Sequence, residues 1–222
     1  MIPRILLDTA QIPDGATLRL FQHGRDFAIM LGMSDLMNSR MSGSEEALAT
    51  IGCTSLVAHP RPRVLVGGLG MGFTLRALLG VLGEDAEIVV AEIVPAIVAW
   101  ARGPMASLFG DSLDDPRVTI RVGDVADAIA IGGWNAILLD VDNGPDGLTM
   151  PGNDRLYGVA GIARARAALV PDGVLAIWSA APDKAFANRL RGAGLGVVEH
   201  QVRARSNGKG PRHVIWTATR AT

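Results

Sequence analysis

The sequence predicts a doubly wound α/β fold, with a mostly parallel sheet covered by helices on both faces and closed at one edge by an antiparallel hairpin. Three observations predict it. From Arg63 onward, short and nearly all-apolar segments alternate with helical stretches, the pattern of strands buried on both faces. A glycine-rich turn, VLVGGLGMG over Val64–Gly72, joins the first of these segments to the first helix. The last two strand-like segments, Gly196–Val202 and His213–Thr219, are joined by a loop without a helix, as antiparallel neighbours are.

Along the chain, two prolines in HPRPR (His59–Arg63) mark a linker. Residues 1–57 before it read as short strands and one helix. Thr17–Phe21 and Phe27–Gly32 flank a turn over Gln22–Asp26 and form a small N-terminal β-hairpin appendage. Ser42 opens the helix, Glu45 completes an S-x-x-E capping box with it, and Gly52 ends it. Residues 63–222 form the larger unit. Strands are expected at Val64–Gly67, Ile88–Glu92, Val118–Val122, Ala136–Asp140 and Val174–Trp178, and the closing hairpin makes the sheet seven-stranded. Helices are expected at Thr74–Leu82, Pro95–Leu108, Val125–Ile131, Leu156–Leu169 and Asp183–Ala193.

The 222 residues suffice to bury one large core. Hydrophobic residues make up 49% of the chain and its mean hydropathy is +0.28, which predicts tight packing and some apolar surface covered by a partner subunit. No apolar run approaches the ~18 residues of a membrane span, and the N-terminal MIPRILLDTAQIPDG lacks the apolar core and cleavage site of a signal peptide. The lone Cys53 excludes an intrachain disulfide and a cysteine-based zinc site, and His23, His59 and His200 are too scattered to hold a metal. A net charge of −1 offers no global attraction to nucleic acid or anionic membranes. A cytoplasmic protein with a small-molecule partner is expected.

Gly67, Gly68, Gly70 and Gly72 let the backbone turn tightly and approach a ligand, with helix amides facing it. Glu92 ends the second strand 24 residues after Gly68, where an acid accepts from ribose hydroxyls in such folds. Asp124 follows the third strand, where an acid can accept from an adenine amino group, and Asp140 closes the fourth. All three stand at the carboxyl edge, where open α/β sheets bind ligands. No lysine follows the glycines, which excludes a phosphate-gripping P-loop. The glycines alone leave NAD open. The closing hairpin, a signature of the class I methyltransferase fold, and Asp124 favour an adenosyl-sulfonium ligand of the S-adenosylmethionine type.

From about Leu31 to Ala218 the sequence resembles the spermidine synthase family, aminopropyltransferases built on that fold. The residues carrying the resemblance are the glycine motif, Glu92, the D-D-P-R-V of Asp114–Val118, Gly123–Asp124 and the P-D-G of Pro171–Gly173. The resemblance implies that residues 63–222 bind the nucleoside. It also implies that the appendage takes part in oligomer contacts, giving a homodimer or homotetramer. It gives Asp140 the role of accepting the nucleophile's proton, with Asp142 in reserve, and places Glu46 and Asn143 at the acceptor. Tyr157, the only tyrosine, is placed to line the same pocket.

Several of the family's groups are missing. Met71 stands where an aspartate would hold the donor's amine, Ser44–Glu45 replace a tyrosine–histidine pair, and Asn143 replaces a second acid. A diamine dication needs carboxylates and aromatic faces in place of its hydration. The closing loop instead carries Arg203, Arg205, Lys209, Arg212 and His213, a cationic rim suited to an anionic acceptor. The expectation is therefore a spermidine synthase-like transferase using S-adenosylmethionine or its decarboxylated form, without a metal, and not a standard putrescine aminopropyltransferase. The alternative is a non-catalytic nucleoside-binding or scaffold protein. An open pocket beyond Asp140 favours the first, and one filled by Met71, Trp134 and Tyr157 the second.

Overall fold

The computed structural model describes residues 2–12, 15–141 and 154–220. An antiparallel four-stranded sheet comes first, in the order β1 (Arg4–Gln11), β2 (Thr17–His23), β3 (Asp26–Leu31) and β4 (Ser34–Asn38). The hairpin turn is tighter than expected: His23 pairs with Asp26, and Gly24 takes a φ of +65° between them. The sequence reading found β2 and β3 and missed the outer two. β1 is an edge strand exposed along most of its length, so it lacks the apolar alternation that marks a half-buried strand.

Helix α1 (Gly43–Gly52) follows, and the expected capping box is absent. Ser42 makes no side-chain cap, while Glu45 turns inward and accepts instead from the Ser44 hydroxyl at 2.6 Å.

The larger sheet runs β10-β11-β9-β8-β5-β6-β7. Its parallel strands are β5 (Arg63–Gly67), β6 (Glu87–Glu92), β7 (Val118–Val122), β8 (Trp134–Leu139) and β9 (Leu169–Ser179). β10 (Leu195–Arg203) and β11 (Arg212–Arg220) close it antiparallel. The helices are α2 (Phe73–Val81), α3 (Pro95–Arg102), α4 (Ala106–Phe109), α5 (Val125–Ile131), α6 (Asp154–Tyr157), α7 (Val159–Ala168) and α8 (Lys184–Gly192). Two expected helices are each split. Pro104 follows Gly103 and stops α3, and Gly158 in an extended conformation separates α6 from α7. β9 begins five residues early because Leu169 already pairs with Trp134, across a bulge at Pro171–Gly173 where Asp172 takes a φ of +60°.

Alternation along the strands builds two cores. Val64, Val66, Ile88 and Val90 face α1 to α4 and the N-terminal sheet, which contributes Leu18, Leu20, Phe27 and Ile29 to that same core. Leu65, Val89, Ile137 and Ile177 face α5, α7 and α8. Trp100 ties α3 to the N-terminal sheet by donating its indole N–H to Asp8 at 2.7 Å. The D-D-P-R-V segment lies at the other end of the strands from the glycine turn. Arg117 grips Asp115 and donates to the Leu82 and Gly83 carbonyls, fixing the entry to β7.

Candidate functional site

A cavity opens where β5, β6 and β8 end. Its floor is the glycine turn, and the N-terminal sheet roofs it with Leu18, Leu31, Leu36 and Met37. Gly68 and Gly72 have φ of +90° and +77°. A Cβ on Gly68 would collide with the Asp140 carbonyl oxygen, and one on Gly72 with the Phe109 ring, so glycine alone fits both places. Gly70 also lines the cavity, under Met37. Gly67 does not: a Cβ there would press on Val125 Cγ2 at 2.9 Å, so this glycine serves packing between β5 and α5.

Glu92 is 4% exposed at the end of β6. Its carboxylate accepts from the Leu69 N–H at 2.9 Å and the Val94 N–H at 2.8 Å. These bonds tie the glycine turn to the neighbouring strand. Burial pushes its pKa up against the pull of those amides. Asp124 lines the far side and caps α5, with Oδ1 accepting from the Ala126 N–H at 2.8 Å. Its other oxygen is ion-paired with Arg155 of α6, a partner that nothing in the sequence pattern marked.

Asp140 sits at the turn leaving β8, and its Oδ2 accepts from Thr74 at 2.8 Å. Burial raises its pKa to about 6, against that hydrogen bond. Opposite, Glu45 lines the cavity from α1, its pKa raised to about 7 chiefly by burial and next by the Asp140 charge. Sequence reasoning chose its neighbour Glu46, which does not line the cavity among the described residues. Trp178, read as core filler, lines the cavity at the end of β9, with its ring edge-on to His213 at 4.8 Å.

The other expected site residues stand elsewhere. Tyr157 is buried and donates its hydroxyl to the Val141 carbonyl at 3.0 Å, with its ring edge-on to Phe186. Trp134 is buried in the second core, so neither ring fills the cavity. Asp142 and Asn143 lie outside the described residues. Arg203 and Arg205 are exposed on the closing hairpin, and Arg203 donates to the Gly210 carbonyl at 3.1 Å. Among the described residues no arginine, lysine or histidine lines the cavity, so the cationic rim expected for an anionic acceptor is not there. His213, expected in that rim, is buried instead and bonds to Ser44 at 2.9 Å. Among the described residues no group of three or more His, Cys, Asp or Glu could hold a metal, and no helix is long and apolar enough to cross a membrane.

No family model matches the chain. Polyamine aminopropyltransferases of Mycobacterium tuberculosis and Mycobacterium bovis are each 32% identical to it over 150 residues, which cover 63% of this chain and 28% of theirs. The chain thus matches under a third of those relatives' length. Among solved structures, spermidine synthase from Thermotoga maritima superposes with a TM-score of 0.77 at 16% identity, over 97% of this chain and 73% of that one. A spermidine synthase in complex with the transition-state analogue AdoDATO gives 0.76, also at 16% identity, over 97% and 72%. A probable spermidine synthase from Corynebacterium glutamicum gives 0.64 at 16% identity, over 97% and 80%. These neighbours establish the class I methyltransferase-like fold. Homologues and neighbours alike are spermidine synthases or polyamine aminopropyltransferases, the family to which this chain is similar.

Proposed function

We propose that the chain is a spermidine synthase-like transferase. It would move a methyl or aminopropyl group from S-adenosylmethionine, or from its decarboxylated form, to a small uncharged or cationic acceptor other than putrescine. The observation that carries this is the cavity at the carboxyl edge, which joins the glycine turn, Glu92 and Asp124 to the Asp140–Glu45 pair. The residues fit an adenosyl nucleoside: the turn has no room for side chains at Gly68 and Gly72, and Glu92 lines the cavity at the strand end where a ribose would lie. When bound, the sulfonium supplies an electrophilic carbon and a neutral thioether leaving group. The Asp140–Glu45 pair stands ready to receive the proton that the attacking nitrogen or oxygen gives up. The N-terminal sheet and Trp178 also line the cavity. Of the three residues that could fill the cavity, Met71 lines it while Tyr157 and Trp134 do not, which among the described residues favours this transferase over the scaffold alternative.

Two features argue against putrescine. Met71, 4% exposed, lines the cavity where an acid was expected, and the Asp140–Glu45 pair is only partly ionised near neutrality. Both leave a dication short of negative charge. With decarboxylated S-adenosylmethionine and putrescine the protein should form spermidine at well under about 1 per second. Mass spectrometry over a panel of amines would name the donor, since aminopropyl transfer releases methylthioadenosine and methyl transfer releases S-adenosylhomocysteine. Spermidine formed at a rate usual for enzymes would overturn the acceptor assignment.

A further inference from the structure

Behind Glu45 lies a buried chain of hydrogen-bonding groups. Ser44 is wholly buried, and its hydroxyl touches two partners: Glu45 Oε2 at 2.6 Å and His213 Nδ1 at 2.9 Å. His213, on β11 directly after the loop of residues 204–211, keeps 8% of its surface exposed. The loop is docked where it must be for this contact. The Ala204 carbonyl accepts from the Gly43 N–H at 2.9 Å, and a Cβ on Gly43 would collide with the Arg205 backbone. Hydrogen bonds therefore join a carboxyl in the cavity, a hydroxyl in the core and an imidazole that keeps a little exposed surface.

We propose that Glu45, Ser44 and His213 form a proton wire that empties the acceptor end of the cavity. A hydroxyl is both donor and acceptor, and a neutral imidazole carries one N–H on either ring nitrogen. With Glu45 protonated, it donates to Ser44 Oγ, Ser44 donates to His213 Nδ1, and His213 holds its proton on Nε2. When Glu45 gives up its proton, that proton passes to Ser44 Oγ and the Ser44 proton passes to Nδ1. The Nε2 proton leaves for solvent. One proton has crossed, His213 is neutral before and after, and the wire's polarity is reversed. Only the source of the proton, the acceptor, rests on the transferase reading.

The surroundings suit this. The charges bearing on Glu45 are Asp140, after β8, and Glu46 on its own helix, and both favour its protonated form. From α2 the Thr74 hydroxyl reaches both Asp140 and the Glu45 carbonyl, while Arg76 is engaged with the Leu108 carbonyl. From β10, Arg203 is held by Gly210. Burial lowers the His213 pKa, which keeps the ring neutral while Glu45 titrates near 7.

The test reads the His213 tautomer by long-range proton–nitrogen NMR on the full chain, from about pH 6 to about pH 9. In the wild type the two ring nitrogens should exchange their protonated and unprotonated shifts as Glu45 ionises. Glu45→Gln and Ser44→Ala should each lose the exchange, and Ser44→Thr, which restores a hydroxyl, should recover it. One tautomer throughout in the wild type, or an exchange that persists in folded Ser44→Ala, overturns the proposal. Should Ser44→Ala fail to fold, Glu45→Gln carries the same test. Calorimetry with S-adenosylmethionine, its decarboxylated form and methylthioadenosine on the same samples separates the two readings. Exchange without nucleoside binding sinks the transferase and keeps the wire, and binding without exchange does the reverse.

Discussion

Glu45 and Asp140 show how one buried pair couples folding to pH. Each carboxyl holds its proton more tightly folded than unfolded: Glu45 moves from 4.5 to about 7 and Asp140 from 3.8 to about 6. Across that interval the native state binds more protons than the unfolded chain, so stability falls as pH rises. Below about pH 4 the pair's full contribution is present, and above about pH 7 it is gone. At about 1.4 kcal/mol per pKa unit, Glu45 alone accounts for up to about 3 kcal/mol. Glu45→Gln should therefore flatten the decline in urea-unfolding free energy between about pH 5 and about pH 8. Parallel curves for variant and wild type would show that Glu45 does not titrate in this window. That Glu45 and not Glu46 faces inward was legible from helical phase. Leu48 and Ala49, three and four residues on, are both buried, whereas of the residues three and four after Glu46 only Ala49 is buried and Thr50 is exposed. A family pattern matched by position overrode that signal.

At the scale of elements, the turn from β5 into α2 holds the cavity floor by excluding side chains. Gly68 lies between the Ala91 carbonyl, which accepts its N–H at 2.9 Å, and the Asp140 carbonyl, which a Cβ would strike. Gly68→Ala adds left-handed strain to that collision, a loss of roughly 2–4 kcal/mol. The melting temperature should fall by about 5 °C or more, at about 2–4 °C per kcal/mol for a chain of this size. A fall of less than about 1 °C would mean the turn relaxes and does not define the floor. The parallel strands were legible because burial on both faces writes itself as apolar runs, and β7 was placed at its observed ends. β4 was not, because in SDLMN the polar residues lie at the ends and no alternation survives. The breaks at Gly103–Pro104 and Gly158 were written in the sequence, and the apolar periodicity around them hid both.

For the whole molecule, the site exists because two sheets share one core. The N-terminal sheet supplies Leu18, Leu31 and Met37 over a floor made by the later glycine turn, and the closing hairpin brings His213 to Ser44 across 169 positions. No local pattern reports such contacts, which is why the acids at the strand ends were legible and the far wall of the cavity was not. The most direct test of the account is calorimetric titration of the folded protein with S-adenosylmethionine, its decarboxylated form and methylthioadenosine. At least one should bind, and Glu92→Ala or Asp124→Ala should weaken it by about tenfold or more, the worth of a charge-assisted hydrogen bond sheltered from solvent. Absence of binding by all three, or unchanged affinity in both folded variants, would contradict it.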